Sequence, residues 1–222
     1  SIVQQVPTLN YRAGASNKDT SLFIRGVGTI STSPGVEPTV ATVVDGVVFG
    51  RPGQSTLDLL DLERIEVLRG PQGTLFGKNA SAGVLNVVSK AIPEQTQGYV
   101  DYSHFGGGGE SRLRFGLGGR LNEQLKGSLS TLWGDYDGNV ENLANGHDVN
   151  GYERKGLRGK LEFEPSDELR LTLIGDYMKG EDSSPSGVVT QASTAFRNQL
   201  GAVRPSAHNR DISSDFKTHV ED

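Results

Sequence analysis

No cysteine occurs anywhere in the 222 residues, which removes thiol catalysis, cysteine metal sites and disulfide staples together. That absence is compatible with an oxidising compartment without demonstrating one. Long apolar runs are missing too: nothing approaches the roughly 18 residues of a transmembrane helix. The opening SIVQQVPTLNY (1–11) has neither the basic n-region nor the apolar core of a signal peptide. Positive charge is not in excess. The 22 basic and 27 acidic side chains give a net charge of −5, so the basic footprint expected of a nucleic-acid binder is absent. Catalytic signatures are lacking as well. His104, His147, His208 and His219 are scattered without an HExxH spacing, and no serine sits in GxSxG. GPQGTLFGKN (70–79) departs from the GxxxxGK[ST] phosphate loop, with Asn79 after Lys78. No enzyme and no cofactor are expected.

What the chain does have is glycine. Thirty glycines against 34% hydrophobic residues describe turns and close backbone approaches, with no Gly-X-Y period that would signal collagen. Residues 1–90 read as a compact, irregular domain. SLFIRGV (21–27) and VATVVDGVV (40–48) are β-branched runs stopped by turn residues, and 63–68 and 83–89 supply two more strands. Asp45 before Gly46 reads as a turn residue. Ser55 is placed to cap a short helix over TLDLLDL (56–62). Residues 71–73 mark a sharp reversal.

Beyond residue 96 the pattern changes to a period of two. In SRLRFGLGG (111–119), Arg112 and Arg114 alternate with Leu113, Phe115 and Leu117. LKGSLSTLW (125–133) and LRLTLIGDY (169–177) alternate in the same way, with Leu132 and Ile174 as exceptions; KGLRGKLEF (155–163) sets Arg158, Lys160 and Glu162 against Leu157, Leu161 and Phe163. Two architectures share this pattern: an antiparallel sheet with one wet face and an outer-membrane barrel wall, whose strands need roughly 9–11 residues. Connection lengths favour the wall. The turns at 120–124 and 164–168 are tight, whereas 137–150 and the stretch after Lys179 are long, as at the two rims of a barrel. Five strands are expected, at 98–104, 111–119, 125–135, 151–163 and 169–178. About eight is the minimum for closure, and an open sheet would leave backbone groups unpaired in hydrocarbon, so a wall of this kind belongs to a longer chain.

Four stretches carry a resemblance: SLFIRGVG (21–28), ATVVDGVVF (41–49), DLERIEVLRGPQGTLFG (61–77) and SAGVLNVVSK (81–90). In order and spacing they are similar to the plug domain of TonB-dependent outer-membrane receptors. The resemblance implies an α+β plug (1–95, incomplete at its N-terminus) followed by antiparallel strands of a transmembrane β-barrel (96–222), 22-stranded in a complete family member. It implies uptake of a scarce ligand across the outer membrane of a Gram-negative bacterium. The ligand would be a ferric siderophore or another small nutrient, and the TonB–ExbB–ExbD complex would supply energy. Against complete members, the short box that engages that complex is not seen here.

Site residues follow from the resemblance. Arg25 and Arg69, beside glycine in "IRG" and "LRG", resemble latches to wall carboxylates, and Glu63 and Glu66 resemble partners for inward-facing arginines. By position, Arg12, Ile30, Ser31, Phe49 and Arg51 resemble apical ligand contacts, and Tyr136 resembles part of an outer funnel. The alternative is a secreted or surface β module that binds glycans or proteins without transport. It accounts for the alternation and the polar loops, but not for four motifs in register.

Overall fold

The computed structural model describes residues 6–12, 21–29, 36–50, 60–106, 109–142, 146–183, 209–210 and 217–221. The first part builds two small sheets. β1 (Leu9–Arg12), β2 (Ser21–Ile24) and β3 (Val27–Gly28) form one in that order. The other contains β4 (Val40–Val44), β5 (Val47–Phe49), β6 (Leu62–Arg69) and β7 (Gly83–Ser89), in the order β5-β4-β7-β6. A four-residue helix, α1 (Gly73–Phe76), occupies the expected reversal.

The local chemistry explains these elements. β4 is the continuous apolar run VATVV and is buried along its whole length, as a strand covered on both faces must be. On one face Val40 and Val44 join Leu9, Leu22, Ile24, Leu85 and Val87. On the other, Ala41 and Val43 meet Ala80 and Val84, with Leu68 and Phe76 packed against them. Two-residue turns close the β2–β3 and β4–β5 hairpins: Arg25–Gly26 with φ of 55° and 79°, and Asp45–Gly46 with φ of 47° and 87°. Two consecutive positive φ values match the right-handed twist of the flanking strands. The helix expected over 56–62 is not seen where it can be followed: Leu60 and Asp61 form a bend and Leu62 opens β6, while 56–59 lie outside the described residues.

The second part is a meander. β8 (Gln97–Phe105), β9 (Glu110–Arg120), β10 (Leu125–Tyr136), β13 (Tyr152–Ser166) and β14 (Leu169–Ser183) pair antiparallel with their neighbours. The long 137–150 connection holds a small hairpin, β11 (Val140–Asn142) and β12 (Asp148–Val149), with β15 (Asn209–Arg210) parallel to β11. The expectation of five wall strands is corrected to six among the described residues, because β16 (Lys217–Glu221) pairs with residues 179–183 of β14. β13 and β14 are also longer than expected, at 15 residues each.

The register sorts the alternation into two faces. Leu117, Leu129, Leu157, Leu161 and Leu173 stand exposed on the outer one. Arg112, Arg154, Arg158 and Lys160 lie on the inner one, toward the plug. Leu132, one of the two exceptions to the alternation, also faces inward and is 4% exposed. Its register partner is Gly156, where a Cβ would meet the Met178 sulfur and lie 3.0 Å from Leu60 Cδ1 of the plug. Leu132 is thus an inner-face apolar residue at a spot the plug covers, which is why the pattern breaks there.

The two plug sheets touch at Gly83 (φ 155°), where a Cβ would meet the Leu68 carbonyl and stand 2.6 Å from Ile24 Cδ1. Gly83→Ala is expected to destabilise the plug by about 1–3 kcal/mol through overpacking, read as faster hydrogen exchange in β4 and β7 of the full receptor chain. Unchanged exchange would show that the sheets are not in contact there.

Candidate functional site

The seam between plug and wall is polar, and its centre is Asp45. The Asp45–Gly46 turn carries this carboxylate at the tip of the β4–β5 hairpin. The Ser89 backbone N–H donates to its Oδ1 at 2.9 Å, and the Ser89 hydroxyl donates to Oδ2 at 2.6 Å. Arg158 of β13 pairs with Asp45 from the wall side and reaches Asp176 Oδ1 at 3.2 Å. Lys160, two residues along the same face, donates to the Ser89 hydroxyl and, at 2.7 Å, to the Lys90 carbonyl. The side chain of Arg158 is only 5% exposed and that of Asp45 15%, so both charges are largely withdrawn from water. Arg158 Nε has no hydrogen-bond partner among the described residues.

Burial alone would raise the Asp45 pKa. The two Ser89 hydrogen bonds and the charges of Arg158 and Lys160 outweigh it and leave the carboxyl below its ordinary value.

A second clamp lies at the end where the plug runs into β8. Glu94 accepts from Lys126 at 2.8 Å and pairs with Arg120, and Lys126 also meets Glu162 at 2.9 Å. Those hydrogen bonds hold the Glu94 carboxyl down to about 2. Nearby, the Lys90 ammonium lies 5.4 Å over the ring of Tyr99 on β8. Apart from Leu60 over Gly156, the described contacts across the seam are thus largely ionic or hydrogen-bonded.

At the opposite end, the inner face of the wall carries an aromatic–guanidinium cluster. Tyr152 donates to Glu110 at 2.5 Å and accepts from Arg112 at 2.9 Å. The Arg112 and Arg154 guanidiniums lie 6.0 and 4.9 Å from the Tyr152 ring centre. Arg112 pairs with Glu110 at 2.5 Å, and Arg154 pairs with Asp182. Tyr136 packs on Tyr152 with ring centres 5.6 Å apart. Gly134 stands between Arg112 and Arg154 in the register.

The expected site residues fall unevenly on this frame. Tyr136 lies in the cluster just described. Arg12 is exposed at the end of β1, and Phe49 is half-buried against the plug core. Ile30, Ser31 and Arg51 lie outside the described residues. Arg25 and Arg69 are exposed, and neither pairs with a carboxylate among the described residues. Glu63 and Glu66 meet Arg64 of their own strand at 2.8 and 2.7 Å, and Glu66 also accepts from Asn86. The cross-seam pairing seen here runs in the opposite sense to the expected one: a plug carboxylate, Asp45, meets a wall arginine, Arg158. Sequence reading took Asp45 for a turn residue alone. The available signal was a charged apex on a "DG" hairpin, together with basic residues on the inner face of 155–163. No group of three or more His, Asp or Glu residues able to hold a metal is found among the described residues.

Replacing Asp45 with Ala is expected to cost about 3 kcal/mol, the low end for a broken buried pair, because Asp176 still faces Arg158. The measurement is the urea concentration at which the plug loses protection from protease in the full receptor. The folded pKa of Asp45 lies below its unfolded value. Its stabilisation is therefore complete above about pH 4 and is lost as pH falls through the folded value. Asp45→Asn should remove this part of the acid sensitivity; a variant with wild-type midpoints at both pH 7 and pH 3 would contradict the pairing.

Comparison with known proteins agrees with this fold. The profile of the TonB-dependent receptor plug domain matches residues 1–84. The pesticin receptor of Yersinia pestis is 34% identical over 172 residues, covering 73% of this chain and 24% of the relative. The vitamin B12 transporter BtuB of Vibrio vulnificus is 28% identical over 201 residues, covering 86% of this chain and 31% of that protein. The crystal structure of the ferric yersiniabactin uptake receptor FyuA from Yersinia pestis superposes with a TM-score of 0.77 at 25% identity, over 98% of this chain and 33% of that one. This chain therefore spans about a quarter to a third of these relatives. With four plug motifs in register and a six-stranded wall closing on them through Asp45 and Glu94, the chain belongs to the TonB-dependent receptors of the Gram-negative outer membrane.

Proposed function

We propose that this chain is the plug and opening wall of a receptor that imports a ferric siderophore across the outer membrane, with the TonB–ExbB–ExbD complex supplying the work. The boundary between the two parts is taken near residue 95, just before β8 begins. The seam is the observation that carries the transport reading. A plug that must shift inside a wall needs contacts that hold and release, and charged pairs crossing a polar seam do so. Their Coulombic gain is close to their desolvation cost. Arg25 and Arg69, exposed on the plug, are assigned as further latches toward wall carboxylates, with Glu63 and Glu66 as secondary partners. No covalent chemistry enters this mechanism.

The siderophore assignment rests on the upper cluster. Arg112 and Arg154 already hold carboxylate oxygens, and Tyr136 and Tyr152 present aromatic faces beside them. An anionic aryl chelate would exchange its oxygens for those carboxylates and stack on the tyrosines. Arg12, Ile30, Ser31, Phe49 and Arg51 are assigned to the plug side of the same space.

The test is uptake by cells carrying the full receptor, offered a ferric catecholate chelate, a ferric hydroxamate chelate, cobalamin and an oligosaccharide. Energised uptake of the catecholate chelate is expected, and it should vanish in cells lacking TonB. Arg154→Ala should weaken chelate binding about tenfold, equivalent to 1.4 kcal/mol. Uptake of cobalamin alone would overturn the siderophore assignment, and uptake that persists without TonB would overturn the transport reading.

A further inference from the structure

Arg158 is held by two carboxylates with different attachments. Asp45 belongs to the plug and is fixed there by Ser89. Asp176 belongs to the wall: it is the register partner of Arg158 on β14 and meets the guanidinium Nη1 at 3.2 Å. Cross-strand partners stay about 5 Å apart as long as the sheet is intact, so Asp176 keeps its place beside Arg158 when the plug moves. Its side chain is 47% exposed, and Arg158 Nε has no hydrogen-bond partner among the described residues. A spare donor is therefore available on the guanidinium, whose fork suits a carboxylate that draws closer.

The same arrangement recurs at the second clamp. Lys126 is buried, meets Glu94 of the plug at 2.8 Å, and has the wall residue Glu162 as its register partner at 2.9 Å. Lys160 makes the contrast. It bonds to the Ser89 hydroxyl and the Lys90 carbonyl, both in the plug, and its register partners Ser128 and Ile174 carry no charge. Among the described residues, each buried wall cation that meets a plug carboxylate thus also faces a carboxylate on the next wall strand.

Charge counting shows what Asp176 does to the seam. Arg158, Lys160, Asp45 and Asp176 together are neutral. Withdrawal of Asp45 leaves one net positive charge on the wall; without Asp176 it would leave two. Asp176 also repels Asp45 and competes with it for one guanidinium. It therefore loosens the closed seam and stabilises the open one, where an uncompensated Arg158 would be costly.

We propose that Asp176 is a positioning residue for plug withdrawal, taking over Arg158 as Asp45 leaves and so lowering the work of opening the seam. Its purpose rests on the transport reading, but the exchange of partners needs no ligand. In the full receptor, Asp176→Asn should raise the urea midpoint for loss of plug protection from protease by about 0.5 M. Asp176→Glu should keep the wild-type midpoint, and in an Asp45→Asn background the rise should vanish. Unchanged β-sheet circular dichroism checks that each variant is folded. In energised cells given a ferric catecholate chelate, Asp176→Asn should lower the maximum uptake rate about threefold and leave the half-saturating concentration unchanged. A carboxylate that merely braces the wall predicts the opposite sign: a midpoint at or below that of the wild type would overturn the proposal. So would a rise that persists with Asp45→Asn, or a maximum uptake rate equal to that of the wild type. Lack of chelate uptake by the wild type would count against the siderophore assignment alone, and the midpoints would still decide the role of Asp176.

Discussion

A charge taken out of water must find a partner, and the relation of plug to wall depends on that constraint at Arg158. The period of two along β13 sends Leu157 and Leu161 outward and Arg158 and Lys160 inward. One strand thus faces two solvents. The inward arginine is almost fully covered once the plug is in place, and an isolated charge there would cost several kcal/mol. Asp45 removes that cost and is itself fixed by two hydrogen bonds from Ser89. The carboxylate is rigid before the wall meets it, so little side-chain entropy is lost when the pair forms. Ser89 lies on β7 and Asp45 beyond the end of β4, and these two strands are parallel neighbours in the plug core. Positioning of the seam therefore follows directly from packing of Val43, Val84 and Val87.

The two plug hairpins use the same turn for different purposes. Asp is among the residues that tolerate a positive φ, since its short side chain bonds locally, and Asp45 does so while reaching the wall. Arg25 adopts φ of 55° in the equivalent position, where its side chain pairs with no carboxylate among the described residues. Strain of this kind persists where the surroundings impose it.

Much of this architecture was legible in the sequence because period-two alternation and turn residues are local signals. VATVV reads as a doubly covered strand, and the outward leucines and inward basic residues of 111–177 sort themselves by parity. What failed was either weakly patterned or distant. KTHVE (217–221) has no alternation strong enough to mark a wall strand; it is placed by pairing with β14. The role of Asp45 depends on Arg158, 113 residues away, and no local pattern connects the two. The Leu132 exception carried information that parity alone could not decode, because the plug residue over that spot, Leu60, belongs to another element.

The chemistry of the seam also determines how the plug can come away. An apolar seal would gain about 25 cal/mol for every Å² removed from water, and that gain would be surrendered over the whole contact area as the surfaces parted. Ionic contacts fail differently. Once Asp45 and Arg158 separate enough for water to enter, each charge recovers hydration, so the cost is concentrated in the first ångströms of displacement and falls quickly afterwards. The plug core has no such escape, because Val43, Val84 and Val87 lose dispersion contacts and burial together. A pull on this domain therefore meets a few ionic contacts at the wall and a larger set of packed contacts within its own two sheets. Release of the seam with the β4–β7 core still folded is the path that this difference favours.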